Sequence, residues 1–289
     1  MKKAADRKIK HRKNQAGVAF LFLAPSFLGV MIFVLIPFMD AFRRTFYEAM
    51  SGKFVGLKNY GMVLNNEAFQ LAARNTARFL GVCIPLLLVL SLLLTLLLNS
   101  LKKHQEFLRT TFLIPIAIPI ASVVLLWKVV FHKYGLLNAL LNQFGVETPD
   151  FMNTDKAFYV LVFSYIWKNC GYDMVLWLAG LSEIPTFLYE AAKMDGAGTL
   201  ASFRYITIPE LLPTIYITVV LSIVNSFKVF REAYLIAGNY PEESIYMLQH
   251  IFSNWFITLD IQKMCAAAVM MAGVILLFIS LLHRIDRNR

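Results

Sequence analysis

Polar side chains interrupt two of the long apolar stretches in this 289-residue sequence. Asn169, Tyr172 and Asp173 cluster beside Lys168 in one stretch, and Asn225 lies in another. Asn169 and Asp173 are one helical turn apart, so a helix would place them on the same face. Hydrogen-bonding side chains are costly in an apolar environment and often mark a functional site there. The two asparagines, Tyr172 and Asp173 are therefore candidates for lining the path of a polar solute. Hydrogen bonding between helices is the alternative.

Charged residues follow Asn225 in the same apolar stretch. Lys228 and Glu232 are four residues apart and could pair on one helix face. Arg231 and Glu232, like Lys128 elsewhere, lie near the predicted outer ends of their stretches. We expect these long charged side chains to extend toward water rather than to line a path.

Residues that could support catalysis lack the spacing that catalysis requires. The five histidines lie outside the apolar stretches or at their edges, and no H-E-x-x-H pair occurs. A nucleotide-binding G-x-x-x-x-G-K-S/T loop is also absent. Residues 196–201 fit G-x-G-x-x-A, but an Ala-rich helical segment precedes them, where a dinucleotide site needs a buried strand. The sequence therefore argues against an enzyme, and specifically against an intramembrane enzyme.

The three cysteines are isolated from one another in the sequence, at Cys83, Cys170 and Cys265. No C-x-x-C pair occurs, so neither a metal site nor a disulfide is indicated. We expect all three to be small buried hydrophobic residues.

Long apolar stretches must position these residues, because the chain is 58% hydrophobic and only 16% charged. About 20 consecutive apolar residues span a bilayer as a helix, which predicts an all-α polytopic membrane protein with six transmembrane helices. Proline occurs in several stretches, and transmembrane helices tolerate it when neighbouring groups satisfy the freed backbone atoms. The predicted spans are Gly17–Phe38, Phe79–Leu98, Phe112–Phe131, Phe158–Leu181, Ile215–Ile236 and Cys265–Leu282.

Basic residues orient these spans in the membrane. Seven of the 28 Lys and Arg residues lie in the first 16 residues, and the C-terminal segment 284–289 is also basic. The positive-inside rule therefore predicts that both termini are cytoplasmic. The first span is too long for a signal peptide and lacks a cleavage site, so we expect it to be retained. Topology accounts for the net charge of +10 without nucleic-acid binding.

A polar loop rich in small residues, 182–212, separates the fourth and fifth predicted spans on the cytoplasmic side. Pro185 is suited to the first position of a helix. Gly196 can end that helix, because glycine adopts positive φ without strain. A second short helix is predicted from about Thr199, its N-cap, and Pro209 is expected to interrupt it.

Motifs in this loop resemble those of a known family. Glu190-Ala191-Ala192 and Asp195-Gly196-Ala197, followed by Phe203, Ile206 and Pro209, resemble the EAA motif of binding-protein-dependent ABC importer permeases. Residues 54–60, FVGLKNY, are similar to the vGLxNY element of the sugar-type permeases, the maltose and glycerol-phosphate group. The chain departs from that group after the fifth span, where it has GNYP at 238–241 in place of a GGP turn.

The resemblance implies an organisation of the whole chain, with an ABC importer type-1 permease fold. It also implies a bacterial cell membrane location. The predicted parts are a basic cytoplasmic tail (1–16), a first transmembrane helix (17–38), an extracytoplasmic loop (39–74), the type-1 transmembrane domain (75–283) and a cytoplasmic tail (284–289).

The resemblance further implies a function: a permease subunit that forms half of the translocation path for a sugar or related carbohydrate. Implied partners are a second homologous permease, two ATP-binding subunits, an extracytoplasmic solute-binding protein and membrane lipids. ATP and Mg²⁺ would be used by the ATPase partner, and no cofactor is expected on this chain. The implied contacts with the ATPase are Glu190, Ala191, Ala192, Asp195, Gly196 and Ala197.

Two alternatives remain open from the sequence. One is an ion- or proton-coupled secondary transporter, although such proteins often show internal repeats and none is evident here. The other is a permease of the same kind that carries a solute other than a sugar.

Overall fold

The computed structural model describes residues 22–49, 51–100, 105–146, 148–238 and 240–287. The predicted N-terminal tail, 1–16, therefore lies outside the described residues. Helices dominate the described chain, in which an isolated β-bridge joins Tyr47 to Phe54. The predicted all-α class is confirmed.

Thirteen helices are labelled here in chain order. Their bounds are α1 (Phe22–Arg44), α2 (Lys58–Leu64), α3 (Glu67–Ser100), α4 (Gln105–Ala117), α5 (Ile120–Phe131), α6 (Leu136–Gln143), α7 (Ala157–Glu183), α8 (Thr186–Met194), α9 (Thr199–Ser202), α10 (Leu212–Ser226), α11 (Phe230–Ala237), α12 (Leu248–Ile257) and α13 (Ile261–Arg287).

Five segments of the described chain are mainly helical and are long and apolar enough to cross a membrane. They are Phe22–Arg44, Glu67–Asn99, Ile120–Gln143, Leu212–Tyr234 and Ile261–Arg284.

Helix α7 corresponds to the remaining predicted span and is long enough to cross a bilayer. Fourteen of its 27 residues are buried, and it packs against α3, α4 and α10. A helix that faces protein on most sides does not need the apolar surface that lipid demands. This position accommodates Lys168, Asn169 and Asp173 in the middle of α7.

The helix boundaries differ from the predicted spans in a physically explicable way. The third predicted span, Phe112–Phe131, is broken between Ala117 and Ile120, where Pro119 is the N-cap of α5. Proline has no backbone N–H and disfavours helical geometry in the residue before it, which accounts for this break. Pro85, by contrast, lies inside the continuous helix α3.

Two other spans also differ from prediction. The first helix extends to Arg44, six residues past the predicted end at Phe38, and contains a π-helical turn at Met31–Leu35. The fifth predicted span, Ile215–Ile236, is interrupted by a 3-10 turn at Phe227–Val229 that separates α10 from α11. That turn changes which residues of the span share a face.

The fold comprises two compact units, each with its own contacts. Unit 1 contains the described residues 22–64 and 259–272, and unit 2 contains 65–258 and 273–287.

A polar clamp organises the segment after α1 in unit 1. The buried Asn59 side chain donates from Nδ2 to the carbonyl oxygens of Thr45 (2.8 Å) and Tyr47 (3.0 Å). Tyr60 donates from its hydroxyl to Thr45 Oγ1 at 2.9 Å. Gly56 has a φ of +58°, which lets the chain turn back toward Thr45. These contacts give a structural reason for the Gly-x-x-Asn-Tyr pattern at 56–60.

Two glycines of α7 allow its neighbours in unit 2 to approach closely. A Cβ atom at Gly171 would collide with the backbone carbonyl of Phe112 in α4. A Cβ atom at Gly180 would collide with the side chain of Thr214 in α10. Membrane helices associate through such close packing, because lipid offers no hydrophobic drive for helix association. The buried core around α7 includes Phe79 of α3 together with Leu161 and Met174 of α7 itself.

The segment after α11 is tied to α3 by buried side chains of unit 2. Asn75 Nδ2 donates to the carbonyl oxygens of Glu243 (2.5 Å) and Tyr246 (3.0 Å). His250 is fully buried, and its Nδ1 accepts from the backbone N–H of Met247 at 3.0 Å. Burial lowers the pKa of His250 to about 4, so this histidine is neutral near pH 7.

Substituting Gly171 with Ala is expected to lower the melting temperature of the protein in detergent. The added methyl group must displace the backbone of α4, and overpacking of this kind costs roughly 1–3 kcal/mol. Gly81→Ala in α3 is the matched control, because a Cβ atom there has no neighbour within 4 Å. Equal melting temperatures for the two variants would contradict the close contact between α4 and α7.

The lowered pKa of His250 predicts a pH-dependent stability. Unfolded His250 protonates near pH 6.5 and the folded residue only near 4, so its contribution is complete above pH 6.5 and is lost as pH falls toward 4. Between pH 7 and pH 5 the loss amounts to about 2 kcal/mol. Between pH 7 and pH 5 the melting temperature should fall less for His250→Gln than for the unaltered chain. An equal fall in melting temperature for both proteins would disprove the lowered pKa of His250.

Candidate functional site

The loop between α7 and α10 contains α8 and α9, joined by a sharply defined turn. Asp195 is the C-cap of α8, and Gly196 follows it with a φ of +79°. The N–H of Gly196 donates to the carbonyl of Lys193 (3.1 Å), and that of Ala197 donates to the carbonyl of Ala192 (2.8 Å). This pair of bonds is a Schellman motif, which satisfies the last carbonyls of the helix. The predicted helix end at Gly196 is confirmed, and its backbone conformation explains the glycine.

A contact between side chains holds α8 against the helical segment that follows α9. The hydroxyl of Tyr189 lies 2.9 Å from Thr207 Oγ1, and Thr207 is buried. Glu190, Ala191, Asp195 and Gly196 are exposed, and Ala192 and Ala197 are half-buried. The residues predicted to contact a partner thus lie together, with most of them open to solvent.

The start and end of this loop differ from prediction. Helix α8 begins at Thr186, and Pro185 is its extended N-cap rather than its first residue. Gly198 takes the N-cap position predicted for Thr199. Pro209 does not end the second helix. The chain passes from α9 through a π-helical stretch, Phe203–Thr207, into a helical turn where proline is tolerated.

Asp173 lies apart from the other polar residues of the predicted solute path. Its side chain is buried, and it accepts from Ser222 Oγ at 3.1 and 3.4 Å. Ser222 belongs to α10, so this contact links α7 to α10 inside the bundle. The alternative role considered from the sequence, hydrogen bonding between helices, describes the position of Asp173.

Asn169, Tyr172 and Asn225 line one cavity of about 290 Å³. The cavity is bounded by Ile116 of α4, Ile120 of α5, and by residues of α7, α10 and α11. Its volume equals the liquid volume of roughly ten water molecules. Asn169 also donates from Nδ2 to the carbonyl of Tyr165 at 2.8 Å. Three of the four predicted path residues therefore share a polar cavity within unit 2.

An ion pair in the same cavity was missed by sequence reasoning. Lys168 Nζ lies 3.6 Å from Glu232 Oε1, and the two side chains are 11% and 6% exposed. The expectation that Glu232 extends toward water is therefore wrong, because Glu232 is buried and pairs with Lys168 of α7. Arg231 is exposed and also contributes to the cavity lining. The only sequence signal was the occurrence of opposite charges in two apolar stretches.

Cys83, Cys170 and Cys265 are all buried and free, as predicted. Within the described residues, no group of three or more His, Cys, Asp or Glu side chains is arranged to hold a metal ion.

The fold and site define a polytopic membrane protein with a polar cavity inside its helical bundle. Residues 79–289 match the family described as binding-protein-dependent transport system inner membrane component. The chain belongs to this family and is a membrane-embedded transport subunit rather than an enzyme.

Individual relatives are similar to this chain over most of its length. The chain is 30% identical over 288 residues to the trehalose/maltose transport system permease protein MalF of Thermococcus litoralis, covering 98% of this chain and 97% of the relative. It is 31% identical over 232 residues to the arabinooligosaccharides transport system permease protein AraP of Bacillus subtilis, covering 78% and 74%.

Solved structures support the same fold. A chain of a bacterial ABC transporter involved in the import of the acidic polysaccharide alginate superposes with a TM-score of 0.84 at 21% identity. The superposition covers 97% of this chain and 99% of that chain. The predicted type-1 permease fold is thereby confirmed.

Lys168→Met should lower the melting temperature in detergent by several degrees. Removing one partner of a buried ion pair leaves the other charge uncompensated, at a cost of about 3–5 kcal/mol. The double variant Lys168→Met/Glu232→Leu should recover most of this loss, because neither charge then remains. Lys263→Met is the control, since its pair with Asp260 is partly exposed. A double variant as unstable as the single one would contradict the pairing.

Proposed function

We propose that this chain is a permease subunit of an ATP-driven importer and that residues 186–210 dock it onto a separate ATPase subunit. The complete importer would contain a second permease, two ATPase subunits and an extracytoplasmic solute-binding protein. Both termini of this chain and the docking loop would face the cytoplasm. ATP and Mg²⁺ would be used by the ATPases, and this chain would bind no cofactor.

The observation that supports the docking role is an exposed apolar surface on a loop of fixed shape. Four large side chains of this loop are mostly solvent-exposed: Phe187 (62%), Met194 (88%), Leu200 (81%) and Tyr205 (75%). Exposed apolar groups clustered beside charged ones are typical of protein interaction sites. Small residues at 191, 192 and 197 would let a partner approach the backbone of the loop closely.

The position of the loop supports the transmission of force to the membrane helices. Helix α7 ends at Glu183, and α8 begins three residues later at Thr186. Beyond the loop, Leu212 opens α10. Both helices adjoining the loop carry residues of the polar cavity, Asn169 and Asn225. Movement of a docked ATPase would therefore act directly on the two helices that form the proposed solute path.

The names of the relatives favour a carbohydrate as cargo. They include permeases for trehalose or maltose, for arabinooligosaccharides and for lactose. Amide and phenol groups, as in Asn169, Tyr172 and Asn225, can hydrogen-bond to sugar hydroxyls as donors and acceptors. Membership of a binding-protein-dependent family disfavours the secondary transporter considered from the sequence.

Gly196→Ala is expected to weaken ATPase docking, because alanine at a φ of +79° strains the turn that shapes the loop. Purification through a tag on this chain should recover several-fold less ATPase subunit than for the unaltered chain. ATP-dependent uptake by the variant should also be lower. Gly198→Ala is the control, since its φ of −74° suits any residue and a Cβ atom there meets no neighbour within 4 Å.

The same preparations test the cargo. Proteoliposomes with the complete importer should take up at least one of maltose, trehalose, lactose, arabinotriose and alginate trisaccharide when ATP is present. Absence of any ATPase from the purified complex would disprove the docking proposal. A working importer that takes up none of the five would refute the carbohydrate assignment.

A further inference from the structure

The cavity beside α7 contains an acceptor with no partner. Glu232 Oε2 is buried and has no hydrogen-bond partner among the described residues, although Glu232 lines the cavity. The residue as a whole is only 4% exposed. A buried carboxylate oxygen without a donor is costly, so such an atom is expected to be paired in the working protein.

The other carboxylate oxygen is held by Lys168. The separation of 3.6 Å between Nζ and Oε1 is longer than a strong charge-assisted hydrogen bond, which measures about 2.7–2.9 Å. The contact is therefore an electrostatic restraint that positions the carboxylate. Lys168 thus restrains Oε1 alone, and Oε2 remains without a donor in a residue that lines the cavity.

The charged side chains of the cavity limit which kind of solute group could donate to Glu232 Oε2. Lys168 and Arg231 are cationic and Glu232 is anionic, so a cationic solute would meet a net positive lining. An anionic group at Oε2 would be repelled by the carboxylate of Glu232, although the lining as a whole is net positive. A neutral hydroxyl donates to a carboxylate without these repulsions, and Asn169, Tyr172 and Asn225 supply further hydrogen-bonding groups around it.

We propose that Glu232 is a specificity-determining residue that accepts a hydrogen bond from a hydroxyl group of the transported carbohydrate. Lys168 is its positioning residue. This inference rests on the proposed function, because it requires a carbohydrate to pass along the cavity. It adds a solute contact to the path, on the helix that follows the turn at Phe227–Val229.

The geometry of α10 and α11 supports this role. Asn225 lies just before the turn at Phe227–Val229, Val229 ends that turn, and Glu232 lies in α11 just after it. All three line the cavity. Glu232 thus extends the row begun by Asn225, and it lies opposite Lys168 and Asn169 of α7.

The experiment uses the complete importer in proteoliposomes with the binding protein saturated by sugar, so that affinity of the binding protein does not limit uptake. The probes are whichever of the five carbohydrates named above is taken up, together with its monodeoxy analogues. A hydrogen bond to a charged group corresponds to roughly a tenfold or larger difference in rate. The unaltered importer should therefore carry the parent sugar at least about tenfold faster than one of its analogues.

Glu232→Gln should reduce this discrimination to about twofold or less. Glu106→Gln, an exposed carboxylate of α4, is the matched control and should keep the full ratio. The exchange variant Lys168→Glu/Glu232→Lys retains two opposite charges in contact but moves the carboxylate to α7. It should also lose the discrimination, whereas a merely structural pair would be restored by the exchange.

Each result decides the question. If Glu232→Gln fails to assemble with its partners, the exchange variant carries the test. A discrimination ratio unchanged in either assembled variant, or an unaltered importer that carries every monodeoxy analogue as fast as the parent sugar, would overturn the role of Glu232 while leaving the carbohydrate cargo intact. Uptake of none of the carbohydrates would overturn both proposals.

Discussion

Close approach of helices to α7 is the constraint on which the rest of unit 2 depends. Gly171 allows the backbone of α4 to pack directly on α7, and Gly180 does the same for α10. Because lipid gives helices no hydrophobic reason to associate, such contacts fix the bundle through van der Waals packing. With α4 and α10 fixed in this way, the faces of α7 bearing Asn169 and Tyr172 border a cavity rather than a packed interface.

The same helix joins the two parts of the candidate site. The middle of α7 carries Asn169 and Tyr172 of the cavity, and the helix ends at Glu183, where the loop between α7 and α10 begins. Asp173 and Ser222 link α7 to α10 between these regions, and Tyr189 and Thr207 link the two arms of the loop. A continuous set of covalent and hydrogen-bonded connections therefore runs from the exposed loop to the cavity.

Features set by local chemistry were predictable from the sequence, and those set by contacts between distant helices were not. The apolar stretches gave the helices, and Gly196 gave a helix end because only a positive φ suits that turn. The sequence shows a proline at position 119, but it does not show whether that proline breaks the helix. Pro85 lies inside a continuous helix, whereas Pro119 marks a break. Glu232 was assigned to water because it lies near the predicted outer end of its span. The partner of Glu232 is on another helix, so no local spacing could reveal it.

The Schellman turn of the loop has a consequence for how importers of this kind diversify. Its shape is set by backbone bonds and one glycine, so the side chains on its outer surface are not needed to maintain it. Under the proposed docking role, substitutions at those outer positions would change which ATPase subunit is accepted without altering the backbone of the loop. A permease with such a loop is suited to the exchange of ATPase subunits between paralogous transporters. It is also suited to chimeric importers in which one pair of ATPase subunits serves several permeases.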